Sequence, residues 1–121
     1  MWLDDVRRPP KQEGWCWVKS VEEALDFARQ NVCEEWALDH DLGTDAPTGT
    51  KFVIDLAKEE NFHIKLPPII SIHSTNSIGV GEMVRLLHYL AKVTSQNVEI
   101  VVRPLAGVIM DRTPHYERPP K

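Results

Sequence analysis

The sequence has little cysteine, no long apolar run and no excess of basic residues. Its two cysteines, Cys16 and Cys33, form no CxxC pair, so we expect reduced thiols rather than a disulfide or a thiolate metal site. No segment approaches the ~18 apolar residues of a membrane span, and the start Met-Trp-Leu-Asp-Asp lacks the basic and apolar regions of a secretion signal. These absences predict a cytoplasmic protein with no membrane partner.

The charge balance argues against a general nucleic-acid binder. The chain of 121 residues carries a formal net charge of −4, whereas contacts with the phosphates of a duplex need clustered Lys and Arg. The basic residues Arg7, Arg8 and Lys11 form a small cluster, but it adjoins the acidic Asp4 and Asp5. We therefore expect this cluster to serve a local site, and we expect no duplex nucleic acid as a partner.

The length and a hydrophobic fraction of 42% fit one soluble domain over residues 1–121, with a proline-rich tail at 111–121. Residue spacing predicts strands at 2–5, 15–18, 36–38, 69–72 and 98–102, and helices at about 21–31, 50–60 and 79–93. Ser20 and Glu23 fit a capping box at the first helix, and Val108–Met110 fits a last short strand. Strands that alternate with helices predict an α/β fold with a parallel sheet.

Polar clusters directly follow three of the predicted strands: Asp4-Asp5, Asp39-His40-Asp41 and His73-Ser74. Ligands of open parallel sheets bind beyond the carboxyl ends of the strands, so we expect these side chains to converge on one pocket. Crowded carboxylates need a cation to offset their charge, and oxygen ligands favour Mg²⁺, Mn²⁺ or Ca²⁺. Taken singly, each cluster also has a structural interpretation as a solvated turn, a capped turn or a core histidine.

The same pocket suits phosphate chemistry. Histidine transfers protons near neutral pH, which makes His40 and His73 candidates for acid and base beside a cation that holds a phosphate. Ser74, Thr75 and Asn76 precede a predicted helix start, where hydroxyl, amide and backbone N–H groups can donate to an anion. We therefore expect a phosphate-containing small molecule or a nucleotide as the partner.

The order of these motifs resembles the receiver domain of response regulators. Asp4-Asp5 resembles its acidic pair, and Asp41, eight residues before Gly49, resembles its phosphoacceptor and loop glycine. Ser74 and Arg103-Pro104 stand near its Ser/Thr and Lys-Pro positions. The resemblance implies a flavodoxin-like parallel five-stranded sheet. We expect this chain to depart from it, because the prolines and glycine of residues 6–14 exclude the first helix and no last helix is predicted after Pro104. In addition, arginine cannot simply replace lysine at a geometrically strict site.

A closer resemblance is to the family described as cyclic-phosphate processing receiver-like domains. Its motifs stand here at Leu3–Arg7 (Leu-Asp-Asp-x-Arg), Leu38–Gly43 (Leu-Asp-His-Asp-Leu-Gly), Thr48-Gly49 and His73–Asn76 (a His-Ser loop with a nearby Asn). The resemblance spans residues 2–90. It implies a metal-assisted phosphoesterase, a phosphoric ester hydrolase that processes a cyclic or terminal phosphate of a nucleotide or RNA end.

On this hypothesis, Mg²⁺ or Mn²⁺ is held by Asp4, Asp5 and Asp41, with Asp39 orienting or completing the set. His40 and His73 act as acid and base, and the phosphate is contacted by Arg7, Ser74, Asn76 and Arg103. Two alternatives remain open: a signalling receiver phosphorylated on Asp41, and a non-catalytic binder of a phosphate ligand or a protein. The missing helices would also leave an apolar sheet face open, which predicts a homodimer through that face.

Overall fold

Five short parallel strands form one sheet in the computed structural model, which describes residues 1–10, 14–59 and 64–103. The strands are β1 (Trp2–Leu3), β2 (Trp17–Val18), β3 (Glu35–Leu38), β4 (Ile69–Ile72) and β5 (Glu99–Val102). Their order across the sheet is β2-β1-β3-β4-β5, and all neighbouring pairs are parallel. The predicted receiver-like, flavodoxin-like α/β fold is confirmed.

Three helices of the described ranges pack on one face of this sheet: α1 (Val21–Gln30), α2 (Gly49–Ala57) and α3 (Ser77–Val93). At the start of α1, the Ser20 hydroxyl accepts the backbone N–H of Glu23 at 3.2 Å. The Glu23 carboxylate accepts the backbone N–H of Lys19 at 2.8 Å, one residue further back than the capping-box pattern predicts. The capping pair predicted from the sequence therefore fixes this helix start.

The core lies between the helices and the sheet, and the strand residues that are buried in it face the helices. The buried side chains on the strand side include Leu3, Trp36, Leu38, Ile70 and Ile72, and those on the helix side include Phe52, Leu56, Met83 and Leu87. Burial of one such side chain contributes about 1.5–3 kcal/mol, so this orientation of the strands is strongly preferred. Successive strand residues point to opposite faces, which directs Asp4, Asp39 and His73 to the face opposite the helices.

The face opposite the helices carries charged and polar side chains as well as apolar ones. Oε2 of Glu35 accepts the hydroxyl of Ser71 at 3.0 Å and lies 3.3 Å from Nη2 of Arg103. Trp17 and Ile69 are half-buried on the same face. The homodimer predicted from the sequence rests on apolar strand residues on this face. The homodimer stays a prediction, but the surface that would form it carries an ion pair.

The connection between β1 and β2 has no helix in its described residues, 4–10 and 14–16. β1 ends at Leu3, earlier than predicted, because the Asp4 side chain accepts the backbone N–H groups of Val6 and Arg7 and turns the chain. The predicted absence of a last helix, the short strand at Val108–Met110 and the tail at 111–121 all lie outside the described residues.

Among the described residues, no helix has the length and apolar character needed to cross a membrane.

The order of the strands across the sheet indicates where a ligand site is expected. β2 and β3 flank β1 on opposite sides, so the direction of winding reverses between β1 and β3. Ligand sites of open α/β sheets lie at this reversal, beyond the carboxyl ends of the strands. Asp4 follows β1 and Asp39 follows β3, so the two carboxylates flank the reversal point.

Candidate metal and phosphate site

Asp4 is buried at the end of β1 and is held at both ends of its carboxylate. Oδ1 accepts the backbone N–H groups of Val6 at 2.9 Å and Arg7 at 2.7 Å. Oδ2 lies 3.0 Å from Nε2 of His73. The Asp4 carbonyl accepts the indole N–H of Trp17 at 2.7 Å. These contacts fix the carboxylate in one orientation.

Asp39 lies beside Asp4 and carries an unsatisfied oxygen. The residue is 1% exposed, and its Oδ2 has no hydrogen-bond partner among the described residues. Nη1 of Arg7 lies 3.5 Å from this oxygen and 3.6 Å from Oδ2 of Asp4. Burial, and after it the charge of Asp4, raises the pKa of Asp39 to about 7, although Arg7 favours the ionised form. A positive charge near Asp39 would therefore relieve a real electrostatic cost.

Asp5 completes a group of three carboxylates with Asp4 and Asp39, which we call the carboxylate group. One oxygen from each residue lies within 4.8 Å of the others. Oxygens that share a Mg²⁺ ion at about 2.1 Å are separated by roughly 3–4 Å, so small adjustments would bring this group to ligating distance. Oδ2 of Asp39, which has an ion pair with Arg7 but no hydrogen bond, is also available as a ligand for a metal cation. The residues present therefore fit a hard divalent cation.

Asp41 does not belong to the carboxylate group in the described structure. β3 ends at Leu38, so Asp39 is the first residue beyond the strand, and the chain has turned away two residues later. The Asp41 side chain is exposed, and its Oδ1 lies 2.8 Å from Nδ1 of His40. The structure thus brings Asp39 beside Asp4 and leaves Asp41, the other predicted ligand after β3, outside the carboxylate group.

His40 packs against the start of α3 rather than against the carboxylate group. The residue is 8% exposed, and its Nδ1 lies 3.4 Å from Nδ2 of Asn76. A Cβ atom at Gly79 would lie only 2.5 Å from two ring carbons of His40, so the ring occupies the space that glycine leaves open. Asn76 in turn caps α3, because its Oδ1 accepts the backbone N–H of Gly79 at 2.9 Å. The imidazole of His40 contacts Asp41 of the pocket, and the His40 backbone N–H donates to the Asp39 carboxylate.

An open pocket of ≈ 420 Å³ lies over these residues at the carboxyl edge of the sheet. Its lining consists of Asp5, Val6, Arg7, Asp39, Asp41, Gly43, Thr44, Ser74 and Thr75. Asp4, His40 and His73 are buried and lie behind that lining. The pocket therefore presents carboxylates, one guanidinium and several hydroxyl groups to a ligand.

The predicted phosphate contacts divide into two groups. Arg7 and Ser74 line the pocket, as a phosphate contact requires. Asn76 does not line it and is engaged in capping α3. Arg103 also lies outside the lining, and its guanidinium contacts Glu35 on the face opposite the helices.

Trp2 is a supporting residue that the sequence analysis missed. Its ring stacks on His73 with a centroid separation of 4.4 Å and an interplanar angle of 19°. Its indole N–H donates to the carbonyl of Arg7 at 2.7 Å. The signal was the two-residue alternation along the strands: Trp2 precedes inward-facing Leu3 and His73 follows inward-facing Ile72, so both lie on the face opposite the helices.

The site residues also fall within a known family pattern. Residues 1–89 match the family model described as the Cyclic-phosphate processing Receiver domain. The chain belongs to this family. The match of this cyclic-phosphate processing receiver covers the carboxylate group, Arg7, His40 and His73, and ends inside α3. The resemblance found in the motifs is thereby confirmed. No match was found among curated proteins or among solved structures.

Proposed function

We propose that this domain is a metal-assisted phosphoesterase that acts on a cyclic or terminal phosphate of a nucleotide or RNA end. One observation carries the proposal: the carboxylate group brings oxygens of Asp4, Asp5 and Asp39 within 4.8 Å, and the buried Oδ2 of Asp39 has no hydrogen-bond partner among the described residues. Membership of the cyclic-phosphate processing receiver family supports a phosphate as the ligand.

The carboxylate group is the proposed cation site. Asp5 and Asp39 line the pocket and would hold the ion from that side, while Asp4 lies behind them. Carboxylate oxygens favour Mg²⁺ and Mn²⁺ over softer metals. A bound ion of this kind would offset the carboxylate charge and polarise a phosphoryl oxygen.

Arg7 and the start of α3 are the proposed phosphate contacts. The Arg7 side chain is 23% exposed and lines the pocket, so its guanidinium adjoins both the carboxylates and the open volume. Ser74 and Thr75 line the pocket just before α3, whose first turn contains no acidic residue. The positive end of a helix dipole and hydroxyl donors both favour an anion at this wall.

Hydrolysis of a cyclic phosphate adds water to phosphorus and breaks one bond between phosphorus and a ribose oxygen. The water loses one proton, and the leaving ribose oxygen gains one. We assign removal of the water proton to Asp41, supported by His40, because the Asp41 carboxylate lines the pocket and its Oδ1 lies 2.8 Å from Nδ1 of His40. The leaving ribose oxygen, on the opposite side of the phosphorus, takes its proton from solvent in the open pocket. Proton transfer by a positioned side chain typically contributes about 10²–10⁴-fold in rate.

The alternative of a receiver phosphorylated on Asp41 is less well supported. A receiver needs a cation near the phosphoryl group at the end of its last strand, but Arg103 contacts Glu35 at 3.3 Å and does not line the pocket. A protein that binds a phosphate ligand without turnover would use the same contacts, Arg7 and the hydroxyl groups of Ser74 and Thr75. Both alternatives are distinguishable by experiment.

The test is turnover of 2′,3′-cyclic mononucleotides with Mn²⁺ or Mg²⁺, with the monoester product resolved by chromatography. We expect turnover by the wild type, loss of turnover in Asp39→Asn, and no change in Asp45→Asn. Asp45 is an exposed residue outside the pocket lining, and asparagine tolerates its backbone φ of 61°. Binding without turnover would identify a binder, and a stable phosphoryl adduct on Asp41 after acetyl phosphate treatment would identify a receiver. Either result would contradict the proposal.

A further inference from the structure

We infer that His73 is a positioning residue: it fixes the Asp4 carboxylate and does not exchange protons with the substrate. The inference rests on the proposed cation site. His73 is 2% exposed and does not line the pocket. Its Nε2 lies 3.0 Å from Oδ2 of Asp4, which itself lies behind the lining. An ionised carboxylate only accepts hydrogen bonds, so Nε2 carries the proton and donates it to Asp4.

Three contacts hold the His73 ring so that its Nε2–H points at Oδ2 of Asp4. The His73 backbone N–H donates to the carbonyl of Leu38 at 2.9 Å, which places the residue at the sheet edge. Trp2 stacks on the ring with a centroid separation of 4.4 Å. The Trp2 indole donates to the carbonyl of Arg7 at 2.7 Å, which ties the stacking ring to the same turn that binds Asp4 Oδ1.

Removal of His73 would leave Oδ2 of Asp4 buried and without its donor. The nearest remaining cationic group is Arg7, whose Nη1 lies 3.6 Å from Oδ2 of Asp4 and 3.5 Å from Oδ2 of Asp39. Oδ1 would stay bound to the backbone N–H groups of Val6 and Arg7, so the carboxylate would pivot about Oδ1 and move Oδ2 toward the Arg7 guanidinium, away from the rest of the carboxylate group. Loss of such an outer hydrogen-bond partner typically weakens metal binding by about 10–100-fold.

Two amide variants separate positioning from proton transfer. In His73→Gln, an amide N–H extends about as far as Nε2 of histidine but carries no titrating group. In His73→Asn, the same amide is one methylene shorter and cannot reach Asp4. We expect the Kd for Mn²⁺, measured by calorimetry on protein shown to be folded by circular dichroism, to stay within about threefold of wild type in His73→Gln and to rise about 10–100-fold in His73→Asn.

The outcomes distinguish this inference from the proposed function. Equal loss of turnover in both variants with unchanged Mn²⁺ affinity would show that His73 acts as an acid or base, and would overturn the inference. Lower melting temperatures with unchanged Mn²⁺ affinity would show a merely structural histidine, and would also overturn it. If the wild type turns over no phosphate ester but the two variants still differ in Mn²⁺ affinity, the proposed function fails and the inference stands. A wild type that binds no Mn²⁺ overturns both.

Discussion

Asp39→Asn is expected to stabilise the protein when no divalent cation is present. The carboxyl has a pKa of about 7 instead of 3.8, because it is buried beside the charge of Asp4. At ~1.4 kcal/mol per pKa unit, keeping Asp39 ionised in the folded state costs up to about 4 kcal/mol. Arg7 already lowers this pKa, so the figure includes the attraction between the two side chains, and we expect a net gain of about 1–4 kcal/mol at alkaline pH.

The sign of the pH dependence follows from the raised pKa of Asp39. The folded state binds this proton more tightly than the unfolded state. Protonation of Asp39 therefore stabilises the folded wild type fully below the unfolded pKa near 3.8, and this stabilisation is lost as the pH rises through about 7. Asparagine does not titrate. The variant should therefore exceed the wild type in unfolding free energy at pH 8, and the excess should be about a third as large at pH 5, which lies between the two pKa values.

Urea unfolding at pH 5 and pH 8 with a chelator present measures this difference. Asp45→Asn is the matched control, because Asp45 is exposed and should give no pH-dependent gain. Added Mn²⁺ should then stabilise the wild type and the control but not Asp39→Asn. An Asp39→Asn protein that is no more stable than the wild type at pH 8 would refute the electrostatic argument.

Three further predictions concern the scaffold. Gly79→Ala should lose about 1–3 kcal/mol of stability, because the added Cβ would lie 2.5 Å from the His40 ring. Gly81→Ala in the same helix should gain about 0.5–1 kcal/mol, because its added Cβ would meet no neighbouring atom within 4 Å. Equal effects of the two substitutions in thermal unfolding would contradict the packing assigned to His40. Ser20→Ala should cost about 1 kcal/mol through loss of the α1 cap, and no change in urea unfolding would contradict that role. Light scattering at micromolar concentration should give the mass of the predicted homodimer, and a monomeric mass would end that prediction.

The fold was predictable because its signals are local. The apolar run Ile69–Ile72 is a strand with the predicted bounds, and the Ser20 cap marks the first residue before α1. The start of α3 differs by two residues from the prediction, because the helix is capped by Asn76, a residue that had been assigned to the phosphate. The polar clusters after the strands were the correct place to look for a pocket.

The identity of the third carboxylate was not predictable from spacing alone. The distance to Gly49 favoured Asp41, but the ladder between β1 and β3 extends to Asp39, whose backbone N–H donates to the Leu3 carbonyl at 2.9 Å. That long-range contact decides which aspartate projects beside Asp4. The direction of His40 depends likewise on packing against Gly79, which lies 39 residues away in the sequence.

The central claim is that the carboxylate group holds a divalent cation in contact with a phosphate ligand. Anomalous diffraction from a crystal soaked with Mn²⁺ and a nucleoside monophosphate tests this claim most directly. We predict one manganese peak ligated by Asp4, Asp5 and Asp39, with the ligand phosphate beside Arg7 and Thr75. A crystal without a manganese peak at these carboxylates, or with manganese bound only at Asp41 and His40, would contradict the account.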